Sequence, residues 1–186
     1  MKVMRKFWIS VVVTFCLTSC SELLFWKKEE VDVYQTIRID EGEGWIECEI
    51  TDKEPSRVNA EVSYFWTKNR KVQETKGDFG GHLLHGTFQQ FYADGSLKLK
   101  GEFKYGLKEG RWKSWGTDQS IESEYQFVKG QKSGPFKEYK AGDLIRSGTY
   151  QKGEYDGKLN LHGDPAIEAL VYKQGVVTDT VFQRTQ

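Results

Sequence analysis

The sequence predicts an all-β chain, an elongated antiparallel meander of stacked β-hairpins preceded by an N-terminal signal segment. Three observations predict it. The glycines Gly86, Gly110, Gly134 and Gly157 stand 24, 24 and 23 residues apart, a period that marks repeat architectures. The aromatic-x-x-Gly units Phe103–Gly106, Phe127–Gly130, Tyr150–Gly153 and Tyr172–Gly175 keep the same beat in an unrelated set of residues. Between these marks apolar and polar residues alternate, the period-2 pattern of strands with one face toward a core.

Composition narrows the class. The chain has 186 residues, 29% of them charged and 14% aromatic, which fits a folded domain and not a disordered segment. Lys and Arg number 27, as do Asp and Glu, so the whole protein is no polycation for nucleic acid or an anionic membrane. Nucleic acid is not expected as a partner, the more so for a chain that carries the export signal described next. Cys16, Cys20 and Cys48 do not make a disulfide framework.

Residues 1–19 read as a signal peptide. Lys2, Arg5 and Lys6 form a basic start, Phe7 to Leu17 is apolar, and Leu17-Thr18-Ser19-Cys20 follows. That tetrapeptide resembles the bacterial lipobox. The resemblance implies lipidation of Cys20, with diacylglycerol on sulfur and a fatty acid on the new N-terminus. The alternative is an uncleaved membrane anchor from Phe7 to Trp26, which has to carry Glu22 inside the bilayer at a cost of a few kcal/mol. Lipidation is favoured over it. Acyl burial at about 0.8 kcal/mol per methylene would hold the protein firmly on its membrane. Ser21 is not the aspartate that retains lipoproteins in an inner membrane, so an organism with two membranes would carry it on the outer one.

Residues 20–30 form the lipidated start and a tether with Leu23, Leu24, Phe25 and Trp26. Residues 31–59 form an N-terminal hairpin. Val31, Val33, Ile37 and Ile39 alternate with polar residues, Glu41 to Gly44 is the loop, and Trp45 to Thr51 returns. Cys48 shares a face with Ile46 and Ile50, and a buried structural thiol is favoured over a reactive one. Residues 60–177 form the repeat sheet. Its leading copy runs from Ala60 to Phe79 around a Lys68-Asn69-Arg70 turn, because Gly77 and Phe79 precede Gly101 and Phe103 by one period. Past Gly157 a last copy turns at His162 to Pro165, Ala169 to Tyr172 supplies its second strand, and Val176 to Gln186 reads as a closing strand and tail, with residues 178–186 taken as the C-terminal tail.

Within a repeat, Asp94-Gly95 predicts a two-residue type I′ hairpin turn, since glycine accepts positive φ. Leu97, Leu99, Gly101 and Phe103 then share one face. Tyr92 pairs with Leu97, Gln90 with Leu99, and Phe88 with Gly101, an aromatic over a position without a side chain. Phe91 goes to the opposite face beside Lys98 and Lys100. A second turn spans the GxxxG frames Gly106–Gly110, Gly130–Gly134 and Gly153–Gly157. Two aromatic rows stitch neighbours together, Phe88–Trp112–Phe136 on one face and Phe91–Trp115–Tyr139 on the other, at about 0.2–1 kcal/mol per cross-strand pair.

The pattern G-x-[WF]-x-x-[YW], followed by G-x-[YF]-x-x-G-x-x-x-G, resembles MORN repeats in the shorter bacterial, YwqK-like variant. The match covers Ala60 to Val177, closely in the three central copies. Asp118-Gln119 lacks the turn glycine, and Leu159 replaces the aromatic of the last copy. The resemblance implies an elongated β-sheet that binds partner proteins, with antitoxin labels on some relatives and lipid binding among eukaryotic ones.

No constellation of catalytic residues emerges, and the chain is expected to be no enzyme and to need no cofactor or metal. His82 and His85 stand where the next copy has glycine and glutamate, which makes them turn residues before ligands. Asp94, Asp118 and Asp143 recur near turns as Asx chemistry requires. Lys98, Lys100, Lys104, Lys108, Arg111 and Lys113 form a basic strip beside Phe91 and Trp115 that Glu122 and Glu124 interrupt, a solvated face before a headgroup site. A single-layer sheet leaves apolar area on one face, and such patches mark interaction sites. The expected function is a lipid-anchored protein-binding or scaffolding surface in the cell envelope, docking a partner protein or a second copy through Phe91, Trp115, Tyr139, Lys98 and Lys100. The alternatives are an antitoxin or immunity-type inhibitor, and a glycan- or phospholipid-headgroup-binding module.

Overall fold

The computed structural model describes residues 35–183. The expected signal peptide, the expected lipidation at Cys20 and the expected tether lie outside the described residues. Every described element is a strand. The N-terminal hairpin is β1 (Gln35–Asp40) and β2 (Gly44–Thr51), and a second hairpin is β3 (Ser63–Lys68) and β4 (Lys71–Lys76). The central copies are β5 (His82–Tyr92) with β6 (Leu97–Lys104), β7 (Leu107–Trp115) with β8 (Ile121–Val128), and β9 (Gln131–Lys140) with β10 (Asp143–Gln151). The last copy is β11 (Glu154–Tyr155) and β12 (Gly157–Leu161) with β13 (Ile167–Lys173), and β14 (Val176–Phe182) closes the sheet.

All 14 strands join one open sheet in the order β1-β2-β5-β6-β7-β8-β9-β10-β12-β13-β14, with β11 on β10 and the β3–β4 hairpin off the path. Every pairing is antiparallel. The expected meander is the observed one.

The identity of the leading copy differs from expectation. Ala60 to Phe79 does not stand beside β5 along its length; β3 pairs with β5 only through Trp66↔Leu83 and Thr67↔His82. The lane next to β5 belongs to β2, where Cys48 faces Phe88 and Ile46 faces Gln90. The Ile46–Gln90 pairing recurs one period later as Leu99–Ser114. The β1–β2 hairpin is therefore the leading copy, and β3–β4 is an excursion inserted before the next. Its Phe65 and Val72 pack on the core formed by Ile39, Ile46, Cys48, Leu84, Phe88, Phe103 and Trp112. Apolar side chains on a single sheet need cover, and the excursion supplies it.

The hairpin turns also depart from the expected type. Gly95 donates to the Tyr92 carbonyl at 3.0 Å and Tyr92 to that of Ser96 at 2.9 Å, so Ala93-Asp94-Gly95 is a three-residue loop with Gly95 at φ 88°. The extra loop residue is offset by a bulge at Lys98, since Gln90 faces Leu99 while Phe91 faces Leu97. Loop and bulge cancel, and Phe88 still faces Gly101. The second copy repeats this with Gln119 at φ 63° and a bulge at Glu122. The third copy turns through the two residues Ala141 and Gly142, both at positive φ. One loop residue fewer is the physical origin of its 23-residue period.

The GxxxG frames are not five-residue turns. Tyr105-Gly106, Lys129-Gly130 and Lys152-Gly153 are two-residue turns with both residues at positive φ. The second glycines Gly110, Gly134 and Gly157, like Gly86, lie in the strands with φ between 66° and 119°. There the register between β6 and β7 slips. The slip exposes a carbonyl two residues earlier, and the next turn glycine docks on it. Gly106 donates to Leu84 at 2.7 Å, Gly130 to Lys108 at 2.9 Å, Gly153 to Lys132 at 2.8 Å and Gly175 to Tyr155 at 2.9 Å.

The first aromatic row is the core. Phe88, Trp112 and Phe136 are 6%, 3% and 2% exposed. Rings from the second strands interleave with them: Phe103 meets Trp112 edge-on at 4.9 Å, and Tyr125 stacks on Phe136 at 5.8 Å. Lys108 and Lys132 extend over this row, Lys108 at 4.7 Å from the Trp112 ring and Lys132 at 3.6 Å from that of Tyr125.

Candidate functional site

The opposite face carries the second aromatic row, and the bulges enlarge it. A bulge at Lys98 turns Leu97 away from Leu99, Gly101 and Phe103 and sets it beside Phe91. Ile121 is likewise set opposite Trp115, and Leu144 opposite Tyr139. Phe91, Trp115 and Tyr139 thus acquire aliphatic partners that strict alternation assigns to the core. Trp45 extends the row, its ring stacked on Phe91 at 5.0 Å and 17°. Arg38 lies 4.2 Å above Trp45, a cation held by the ring quadrupole. Trp45, Phe91, Leu97, Trp115, Ile121, Tyr139 and Leu144 are all half-buried. Alternation alone shows the Phe91–Trp115–Tyr139 row, whereas the signal that adds Leu97, Ile121 and Leu144 to it lies in the loop lengths, which decide where the bulge must fall.

Basic side chains flank the stripe. Trp115 lines an open groove of 530 Å³ with Thr87, Leu97, Lys100, Glu102, Arg111 and Lys113. Lys100 and Lys113 face each other across β6 and β7, a like-charge pairing that costs stability and favours an anionic neighbour. Lys113 reaches Glu124 at 3.4 Å. Lys98 is exposed and lies 5.4 Å from the Tyr92 ring. Tyr92 donates its hydroxyl proton to the Trp115 carbonyl at 2.9 Å, tying the first hairpin end to the second.

The expected basic strip is divided between the faces. Lys100 and Lys113 accompany the stripe. Lys98, expected beside Phe91, is set over the Tyr92 ring by the bulge that brings Leu97 to Phe91, and Lys108 lies among Phe65, Trp112 and Phe127 on the core face. Burial lowers the Lys108 ammonium below its ordinary value. The indole N–H of Trp112 is the one buried side-chain donor without a partner among the described residues.

The histidines take local roles. His82 Nδ1 meets the Asp52 carboxylate. His85 Nδ1 accepts the Tyr105 amide at 3.2 Å. Glu109 accepts the Lys129 amide at 2.8 Å in the equivalent place, so both residues cap a neighbouring turn. Asp94 and Asp118 are used identically, each accepting the amide of the serine two residues on at 2.9 Å and its hydroxyl at 2.7 Å. These bonds hold both carboxyls below the usual aspartate range. Cys48 is a buried free thiol, and burial followed by the Glu49 charge pushes it up to about 12. Among the described residues no group of three or more His, Cys, Asp or Glu side chains is placed to hold a metal.

The outer face thus carries an apolar stripe with a cationic flank. Neither the family models nor the curated proteins compared with this chain match it.

Proposed function

We propose that this protein is a membrane-anchored scaffold whose sheet presents the Trp45-to-Leu144 stripe to an acidic partner protein in the cell envelope. One observation carries the reading. Seven half-buried apolar residues stand in line on the face that the β3–β4 excursion leaves uncovered, with Lys100, Arg111 and Lys113 beside Trp115 and Leu97. A core needs no such row, because Phe88, Trp112 and Phe136 already supply one. Exposed apolar stripes with a charged rim have the anatomy of protein interfaces, in which aromatic and arginine side chains supply the anchors. The resemblance to MORN repeats agrees with a protein-binding sheet, and the lipobox-like Leu17-Thr18-Ser19-Cys20 with a lipid anchor at Cys20.

The experiment is photo-crosslinking in native membranes from position 115 of the full chain, followed by quantification in Trp115→Ala and Lys100→Glu backgrounds. The expected result is one acidic protein adduct from the stripe, reduced about tenfold or more by either substitution, as for an anchor and a steering charge. An unaltered adduct in both variants overturns the assignment. Loss of the membrane fraction in Cys20→Ser tests the anchor separately.

A further inference from the structure

The β3–β4 excursion leaves a cleft between its tip and the edge strand β1. The cleft measures 660 Å³, and its lining includes Ile37 and Ile39 of β1, Thr67, Lys68 and Arg70 of the tip, and His82 at the start of β5. That volume falls within the range of about 300–1,000 Å³ common to small-molecule sites. The β1 wall is apolar, with Ile37 half-buried against the core and Ile39 2% exposed. Across from it Thr67, itself 4% exposed, brings a hydroxyl.

The charge at this cleft has one sign. Asn69 and Arg70 form a two-residue turn at φ 52° and 57°, which sets Lys68 directly opposite Lys71. Like charges in that relation repel. The turn itself does not require them: in the other described turns of this length Lys104 faces Leu107, Val128 faces Gln131, Lys140 faces Asp143, Gln151 faces Glu154 and Lys173 faces Val176. Lys68, Arg70 and Lys71 are exposed, and no ion pair among the described residues engages any of them. No Asp or Glu lines the cleft; the Asp52 carboxylate meets His82 Nδ1 and offsets that residue alone. The Arg38 guanidinium is committed elsewhere, over Trp45 and beside Glu47. A cleft with one sign of charge concentrates the field and gathers ions of the other.

We propose that this cleft binds a soluble organic phosphate monoester, with its phosphate between Lys68 and Arg70 and its apolar body against Ile37. Several uncompensated cations suit a group that carries a charge of about −2 at neutral pH better than a carboxylate with one. The Arg70 guanidinium can take two phosphate oxygens at once, and Lys68 supplies a point charge beside it. Lys71 adds to the field, and the bound anion removes its repulsion with Lys68. The site belongs to the excursion and not to the repeats. It is separate from the Trp115 face and rests on neither the docking nor the anchor reading.

The probe is phenyl phosphate, titrated into the full chain by calorimetry. A Kd of about 1 mM or tighter is expected. Inorganic phosphate lacks the apolar body and phenyl sulfate has one charge fewer, so each is expected to bind about tenfold more weakly or worse. Arg70→Gly keeps the turn, because glycine accepts its positive φ, and Lys68→Gln removes the like-charge pair. Each is expected to weaken phenyl phosphate binding about tenfold, with a urea midpoint at or above that of the parent, which reports an intact fold. Absence of binding to the parent overturns the proposal, as does equal affinity for phenyl sulfate or an affinity unchanged in both variants. Binding to vesicles of phosphatidic acid without binding to phenyl phosphate also overturns it, in favour of a lipid surface.

Discussion

The indole of Trp112 lies against the bare Cα of Gly101, so that a Cβ there would run into Cδ2 and Cε2 of the ring. Gly101 has no positive φ to satisfy; it is glycine because a first-strand aromatic needs its place. Gly148 stands in the same relation to Phe136, with a Cβ-to-ring distance of 3.0 Å. Gly101→Ala is expected to cost about 1–3 kcal/mol by overpacking, measured as a lower urea midpoint at unchanged slope. Gly148→Ala is expected to cost less, since its ring contact is longer. Equal stability of Gly101→Ala and the parent would contradict the packing.

Gln119 holds φ 63° where the equivalent residue of the preceding copy is Gly95 at φ 88°. A non-glycine residue in this region costs about 1 kcal/mol. Gln119→Gly is therefore expected to raise stability by about 0.5–1 kcal/mol despite the larger entropy of glycine in the unfolded chain. Gly95→Gln is expected to lower it. Urea denaturation of the two variants side by side checks the opposite signs.

The Asp94 and Asp118 carboxyls are held down by hydrogen bonds from the Ser96 and Ser120 hydroxyls first, then from the serine amides. A carboxyl depressed on folding contributes stability above the ordinary aspartate value of about 3.9 and loses it as pH falls through the folded value. The double variant Asp94→Asn, Asp118→Asn keeps an acceptor but no titration. Its difference from the parent in urea midpoint is expected to be constant above about pH 5 and to shrink below about pH 4. A difference independent of pH would remove these two turns from the acid response.

Cys48 is 1% exposed and its thiol is pushed up to about 12. A buried thiol of that kind neither ionises nor meets reagent in the folded protein. Labelling by a maleimide at pH 8 is expected to proceed only with global unfolding, its urea dependence superimposing on the fluorescence transition. Fast labelling in native buffer would contradict the packing of Cys48 against Phe88.

The regular part of the sheet was legible because its marks are local. Turn glycines, the alternation after them and the aromatic-x-x-Gly endings name their strands without reference to anything distant. Two features were hidden for a different reason. The leading copy is β1–β2, but Ile37 and Cys48 fill the places held later by Phe88 and Gly101, so composition conceals the kinship. Gly77 and Phe79 carry the expected spacing without the expected pairing, because spacing cannot report which lane a hairpin joins. The outer stripe was missed in part because a three-residue loop and a bulge cancel. Phe88 keeps its predicted partner, while Leu97, Ile121 and Leu144 change sides.

The insertion of β3–β4 between two copies has a practical meaning. A ladder that grows lane by lane takes its register from neighbouring strands and not from the length of chain between them, so a junction tolerates foreign sequence as long as both flanking lanes are kept. The turns at Tyr105-Gly106, Lys129-Gly130 and Lys152-Gly153 are equivalent seams. A hairpin grafted at any of them is expected to leave the ribbon intact, which makes the protein a modular frame on which nature has already performed one such splice.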